Sequence, residues 1–396
     1  MPTRPRITNS QRRARIGQRH AIAPGMRVAT LADAARSMVA IHGTDVASMY
    51  LQGRARMRQS SPMSIGHELY ESRSVLRLLA MRRTLFLVPI DEVATLHAAA
   101  SIAIGRRERA RTLAMFAVGD RGPDTAAMFD ELEGIGLAAV RAAGEASTAE
   151  LTGLDPRLGQ RIEVSQGKSY AGSISVSQKV FFHLALDGRI GRGRPRGSWT
   201  GSQVRWRPIE SWLPEGIAPM PTGAAQARLV GQWLRVFGPG TREDVCWWTG
   251  WTVAEVRAAL AANDVVEVEL EGGQTGYVLP DDVDPEPDPD PWIALLPSLD
   301  ATTMGWSTRE WYLGPHKAVL FDRNGNAGPT IWADGRIVGG WAQRPGGEVV
   351  TRLLEDVGTE ASTAVSVEAA AIESWLDGTR IRYSFPTPMD IGIRTG

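Results

Sequence analysis

Four consecutive residues, His42-Gly43-Thr44-Asp45, bring an imidazole, a hydroxyl and a carboxylate onto one turn, the groups that orient or deprotonate a water. The same residues are what any helix-turn-helix corner selects, a C′ glycine followed by a capping Thr or Asp, and on residue types alone that structural account is the stronger. Lysine-based nucleophilic chemistry has only Lys168, Lys179 and Lys317 to draw on, all distant in sequence from the turn, so a Schiff-base step is not expected. The six histidines fall at no metal-ligand spacing, and the lone Cys246 excludes an intrachain disulfide. Neither a metal nor a cofactor is therefore expected.

The second cluster is electrostatic. Between Arg189 and Arg207 stand six arginines and two tryptophans, around the glycine-rich turn Gly193-Arg194-Pro195-Arg196-Gly197-Ser198. Such a hairpin suits close approach to a groove of high negative potential, with a solvated loop as the plain alternative. Residues 1–210 carry 31 basic against 18 acidic side chains, net +13, and the remainder carries 13 against 26, net −13, so the overall charge of zero arises by compensation. That split points to a polyanion. Of the 44 basic residues only three are lysine, a bias toward the fork that grips phosphate, to which genome composition also contributes. The DNA-contact candidates are Arg54, Arg56, Arg82, Arg83, Arg189, Arg192, Arg194, Arg196, Arg205 and Arg207. Arg58 and the cluster Arg106, Arg107, Arg109 and Arg111 are charge runs that read more plainly as solvated helix faces.

To hold these residues the chain offers a recurring pattern. Thr30, with Asp33 behind it, caps a helix expected to run through Ile41 and stop at Gly43; a second follows over Val46 to Met57, a third over Glu71 to Arg82, then a strand from Arg83 to Pro89. A basic helix, Ser10 to His20, precedes them. Thr125 to Ala143, a helix opening at Ala146 and Ser177 to Leu186 lead into the arginine hairpin. Ala224 to Phe237, Val245 to Trp248 and Thr252 to Ala262 lead into a wing at Val265 to Leu270 and Thr275 to Leu279. The expected fold is α+β, three tandem winged helices (residues 1–124, 125–216 and 217–290) followed by a small antiparallel β-barrel (291–396). The acid-and-proline run Asp281 to Pro291 should be an extended, solvated boundary. In the barrel, strands are expected at Trp292 to Leu296, Trp311 to Leu313, Ala318 to Phe321, Thr330 to Ala333, Ile337 to Ala342 and Arg380 to Phe385, with one helix, Val365 to Asp377.

Four stretches carry a resemblance: Met38 to Asp45, Met81 to Pro89, Phe237 to Asp244 with Trp247-Trp248-Thr249-Gly250, and Leu295 to Asp300. With them the chain resembles, over nearly its whole length, the AlkZ/YcaQ-type DNA glycosylases. The resemblance implies a C-shaped molecule around duplex DNA and excision of N7-alkylated purines, in some members from interstrand crosslinks. It also implies excision without base flipping and a role in base excision repair or antibiotic self-resistance. Where that family usually has Gln, a small apolar residue, then Gln or Asp, this chain has His42, Gly43 and Thr44, as in a subgroup with His or Gln first and a small polar residue third. Asp45 follows the motif and joins the candidates while also suiting a cap. Phe86, at a position where many relatives carry His, reads as packing.

An N7-alkylated purine is a good leaving group, so His42 and Thr44 need only orient the attacking water beside an oxocarbenium-like sugar. The expected protein is a monofunctional, monomeric, cytoplasmic and nucleoid-associated glycosylase acting on alkylated double-stranded DNA, with no membrane partner. The competing class is a non-catalytic winged-helix DNA-binding protein or transcriptional regulator, which should dimerise and prefer an operator; no heptad seam supports it. An RNA-binding protein is a weaker third, without an RRM or KH signature.

Overall fold

In the computed structural model, residues 4–117, 124–164, 172–201 and 203–395 are described. Lys168 lies outside the described residues. Among those described, no helix is long and apolar enough to cross a membrane.

The chain is mixed α+β, and one order of elements is used three times. In the first unit the helix Leu31–Arg36 is followed by the short strand Ile41–His42, the helices Val46–Arg56 and Pro62–Tyr70, and the hairpin Val75–Ala80 and Thr84–Pro89. The returning strand lies in the middle, with Ile41 opposite Leu87 and His42 opposite Phe86. The second unit repeats this with Thr125–Ala143, Ala146–Ser147, Thr148–Thr152, Val176–Leu186, Ile190–Arg192 and Arg205–Pro208. A short helix, Pro156–Gly159, and the hairpin Arg161–Val164 with Gly172–Ser175 are inserted ahead of its last helix. The third has Thr222–Phe237, Arg242–Thr249, Val253–Ala261, Val266–Leu270 and Thr275–Val278, its first strand reduced to a bridge between Gly240 and Tyr277. The N-terminal strand Arg6–Ile7 extends that sheet in parallel.

Two expectations about the first unit are corrected. Its first helix ends at Arg36, because Val39 adopts a left-handed φ of 62° and the next residues join the sheet. Its third helix is Pro62–Tyr70, nucleated by Ser61 in a capping box with Ser64 and by Pro62 in the first turn. The apolar run expected to be helical, Val75–Ala80, is a strand, since its pairing with Thr84–Pro89 satisfies its backbone and buries five of its six side chains.

No barrel closes at the C-terminus. Ile293–Leu296, Thr330–Ala333, Arg336–Gln343 and Val349–Leu353 form an open antiparallel sheet in that order, with the helix Gly358–Leu376 packed against both edge strands. The expected strands at Trp311 and Ala318 are the short helices Glu310–Leu313 and Lys317–Leu320. There Trp311 and Tyr312 pack edge to face and the Tyr312 hydroxyl donates to the Thr303 carbonyl. Arg380 to Phe385 forms no strand because side chains take its donors: Ile381 N–H reaches Gln343 Oε1, and Ser384 N–H reaches Asp45.

The acidic run after the third unit is likewise not merely solvated. Asp282, nearly buried, accepts from Arg15 and Arg19, and Glu286 also receives Arg19, so the run lies along the N-terminal helix Asn9–Arg19.

Candidate active site and nucleic-acid interface

His42 ends the short strand and is fixed through its backbone. Its carbonyl accepts from Gln52 Nε2 at 2.9 Å, and the same buried amide's Oε1 accepts from Ala301 N–H at 3.0 Å, tying the turn to the C-terminal sheet domain. The imidazole meets Phe86 edge-on at 5.6 Å. Enclosure by protein atoms, reinforced by the Arg82 cation, holds its pKa down at about 3, although the residue as a whole is only half-buried. It is therefore neutral at pH 7, able to accept a hydrogen bond from water but a weak proton acceptor. Nδ1 is buried without a partner.

Gly43 lies against the central strand. Its N–H donates to Leu85 at 2.7 Å and its carbonyl accepts from Arg77 Nη2 at 2.6 Å. A Cβ at this position would stand 3.3 Å from the backbone of Phe86 and Leu87, tighter than most real contacts. Thr44 is exposed, its hydroxyl free to face an incoming molecule. Asp45, a candidate alongside these two, is 5% exposed and committed elsewhere: Oδ1 caps the helix Val46–Arg56 at Ser48 N–H, and Oδ2 accepts from the backbone and hydroxyl of Ser384. With three of its roughly four acceptor positions filled and its surface buried, this carboxylate holds the fold together.

The arginines divide by partner. Arg56, expected at the DNA surface, is wholly buried in a bidentate pair with Asp300 and a bond to Thr302; the helix that carries it is covered on nearly every side. Arg54 is held by Glu368 and is 11% exposed. Both depart from the expected surface role. In the second unit Arg205 and Arg207 are held by Glu145, with Glu150 also near Arg205. Arg194 and Arg196, more exposed, pair with Glu71 and Glu150. Exposed pairs of this kind contribute about 0–1 kcal/mol, so a phosphate can displace the glutamate. Arg189 is exposed, and Arg192 lies over the Trp206 ring.

Arg82 and Arg83 stand together at the tip of the first hairpin, both exposed, with φ of 55° and 60°. Arg82 stacks on Trp247 at 4.3 Å while Arg309 covers that ring from 4.7 Å, and Arg83 reaches Glu108 at 3.3 Å. Arg82, Arg83, Arg107 and Arg111 border one cavity of about 240 Å³. Arg77 and Gln52, both bonded to the turn, were not among the residues expected at the site; for Arg77 the clue was a lone cation in an apolar run, and for Gln52 nothing local marked it.

Fold and site together define an α+β protein of repeated helix-and-hairpin units in which a turn carrying an imidazole and an exposed hydroxyl is bordered by cations. A family model for AlkZ-like DNA glycosylases matches residues 35–375, and the chain belongs to that family of enzymes. Among solved structures it is similar to the Streptomyces sahachiroi DNA glycosylase AlkZ, with a TM-score of 0.70 and 20% sequence identity over 95% of this chain and 98% of that one. At that identity the likeness is one of fold. No curated protein sequence matches the chain.

Proposed function

We propose that the protein is a monofunctional glycosylase that hydrolyses the N-glycosidic bond of N7-alkylated purines in duplex DNA. The observation that carries this is a neutral His42 beside an exposed Thr44 on a turn whose backbone is fixed from both sides. His42 accepts from the attacking water, Thr44 completes its placement, and the cationic purine leaves without a strong general acid. Asp45 serves as the cap that sets the turn. Lys179 and Lys317 sit on the helices Val176–Leu186 and Lys317–Leu320, elements that do not build the turn, in keeping with hydrolysis in place of a lyase step.

The three units read as winged helices, in the divisions 1–124, 125–216 and 217–290, embracing the duplex as a monomer. The third helix of the first unit, Pro62–Tyr70, has no Lys or Arg and ends beside Glu71. A helix of that charge is poorly suited to major-groove readout, which favours an enzyme indifferent to sequence over a regulator. The exposed pair Arg82 and Arg83, with Arg189, Arg194 and Arg196, supplies the phosphate contacts.

The deciding experiment is release of free 7-methylguanine from alkylated duplex DNA by the wild type, His42→Ala and Thr44→Ala at one salt concentration. Loss of release with duplex binding retained supports the reading. Release unaffected by either substitution removes the turn from the chemistry. No release by the wild type from methylated, bulky-adduct or crosslinked duplex favours the non-catalytic alternative.

A further inference from the structure

Arg77 and Arg192 share one cavity beside the turn and, like the more exposed Arg82, have no carboxylate partner among the described residues. The other four arginines from Arg194 to Arg207 each have a glutamate, and the buried Arg15 and Arg56 have Asp282 and Asp300. Arg77 and Arg192 have no carboxylate within ion-pair distance among the described residues; Arg77 donates to the Gly43 carbonyl and feels the charge of the more distant Asp45. Both line one cavity of about 250 Å³ between the first hairpin and the second unit, with Thr148 and Gln178 as its other polar lining. Burial and the neighbouring Arg77 push Arg192 down to about 9, the mark of a cation lacking its counter-charge. Two guanidiniums enclosed side by side without an ion-paired acid repel one another, and an anion seated between them relieves that cost.

The cavity adjoins the turn. Arg77 donates to the Gly43 carbonyl, and Leu85, which accepts from Gly43 N–H, is part of its wall. An oxocarbenium-like sugar at the turn would be repelled by two bare guanidiniums, whereas a phosphate seated between them cancels that field and fixes the strand.

We propose that Arg77 and Arg192 form an oxyanion subsite of the phosphate class, filled by a backbone phosphodiester of the strand whose nucleotide stands at the His42-Gly43-Thr44 turn. The proposal rests on the glycosylase reading for its occupant, but its test reads binding, not base release, so the two fail separately. Duplexes carrying one neutral methylphosphonate at a time are titrated with wild type, Arg192→Gln and Arg192→Lys, and inorganic phosphate is assayed for protection of Arg77 and Arg192 against phenylglyoxal, read by peptide mass.

The expected result is a single phosphate position at which neutralisation weakens wild-type binding about tenfold and leaves Arg192→Gln unchanged. Arg192→Gln should also lower the slope of log K against log salt by about one, with Arg192→Lys retaining it. A flat methylphosphonate scan with protection by inorganic phosphate keeps the subsite and makes its occupant the free ion. A flat scan without protection overturns the proposal; both measurements use the wild type, so a poorly folded variant does not affect them.

Discussion

A histidine that stays neutral is an unusual instrument for moving protons and a suitable one for holding a water. Because enclosure and Arg82 keep His42 at about 3, its protonation state does not change between pH 5 and 9, and base release should show no inflection from this ring there. An inflection near pH 6.5 that disappears in His42→Gln would mean that the ring is more open in the DNA complex. His42→Ala and Thr44→Ala should each lower the rate constant of release by roughly 10²–10³-fold in single-turnover assays, the usual cost of losing a positioned hydrogen-bonding group. The residues at this scale were partly legible. The triplet His42-Gly43-Thr44 was singled out by the family resemblance, since by residue type it reads equally as a helix corner, whereas Asp45 was ambiguous until Ser384, more than three hundred positions away, proved to occupy its second oxygen.

At the scale of elements, the tip of the first hairpin is the informative feature. Arg82 and Arg83 both adopt the left-handed conformation that a tight hairpin turn assigns to an asparagine followed by a glycine, at a cost of about 1 kcal/mol or more per residue. The double substitution Arg82→Asn with Arg83→Gly should raise the melting temperature while weakening duplex binding and flattening its salt dependence. A variant that gains stability and binds as before would show that the two guanidiniums serve no DNA. Gly43→Ala acts in the opposite direction: its Cβ presses on the central strand, so about 1–3 kcal/mol of stability should be lost in denaturant titration along with activity.

Helices with clear amphipathic stripes were read nearly to the residue, as with Thr125–Ala143 and Thr222–Phe237. Val75–Ala80 was not, because a six-residue apolar run fits either period until its partner strand is known.

Across the whole molecule the opposed charge of the two halves is spent in part internally. Arg4 with Glu267, Arg15 and Arg19 with Asp282, Arg54 with Glu368 and Arg56 with Asp300 all join the basic half to the acidic one. The acidic half thus holds the basic half in place as well as balancing it. Arg56→Ala leaves Asp300 buried and unpaired, and should cost about 3–5 kcal/mol in unfolding free energy, with the melting temperature as the check.

Acid should also destabilise the fold. His20 and His183 are almost wholly buried and held at about 3 and about 4, against 6.5 when free. As pH falls below 6.5 the unfolded chain takes up protons that the folded chain refuses. Stability is therefore full above 6.5 and declines toward pH 4, by about 1.4 kcal/mol per pH unit for each such proton. Urea midpoints that do not move between pH 7 and 4.5 would contradict this.

Composition, caps and turn residues, all local properties, determined by themselves the α+β class, most helices, the three hairpin-bearing units and the family resemblance. Tertiary structure alone decided which arginines are free, whether the last sheet closes, where the acidic run lies and what Asp45 binds. Each of these depends on a partner distant in the chain, and a cation's availability or a backbone donor's fate is settled only by what folds against it.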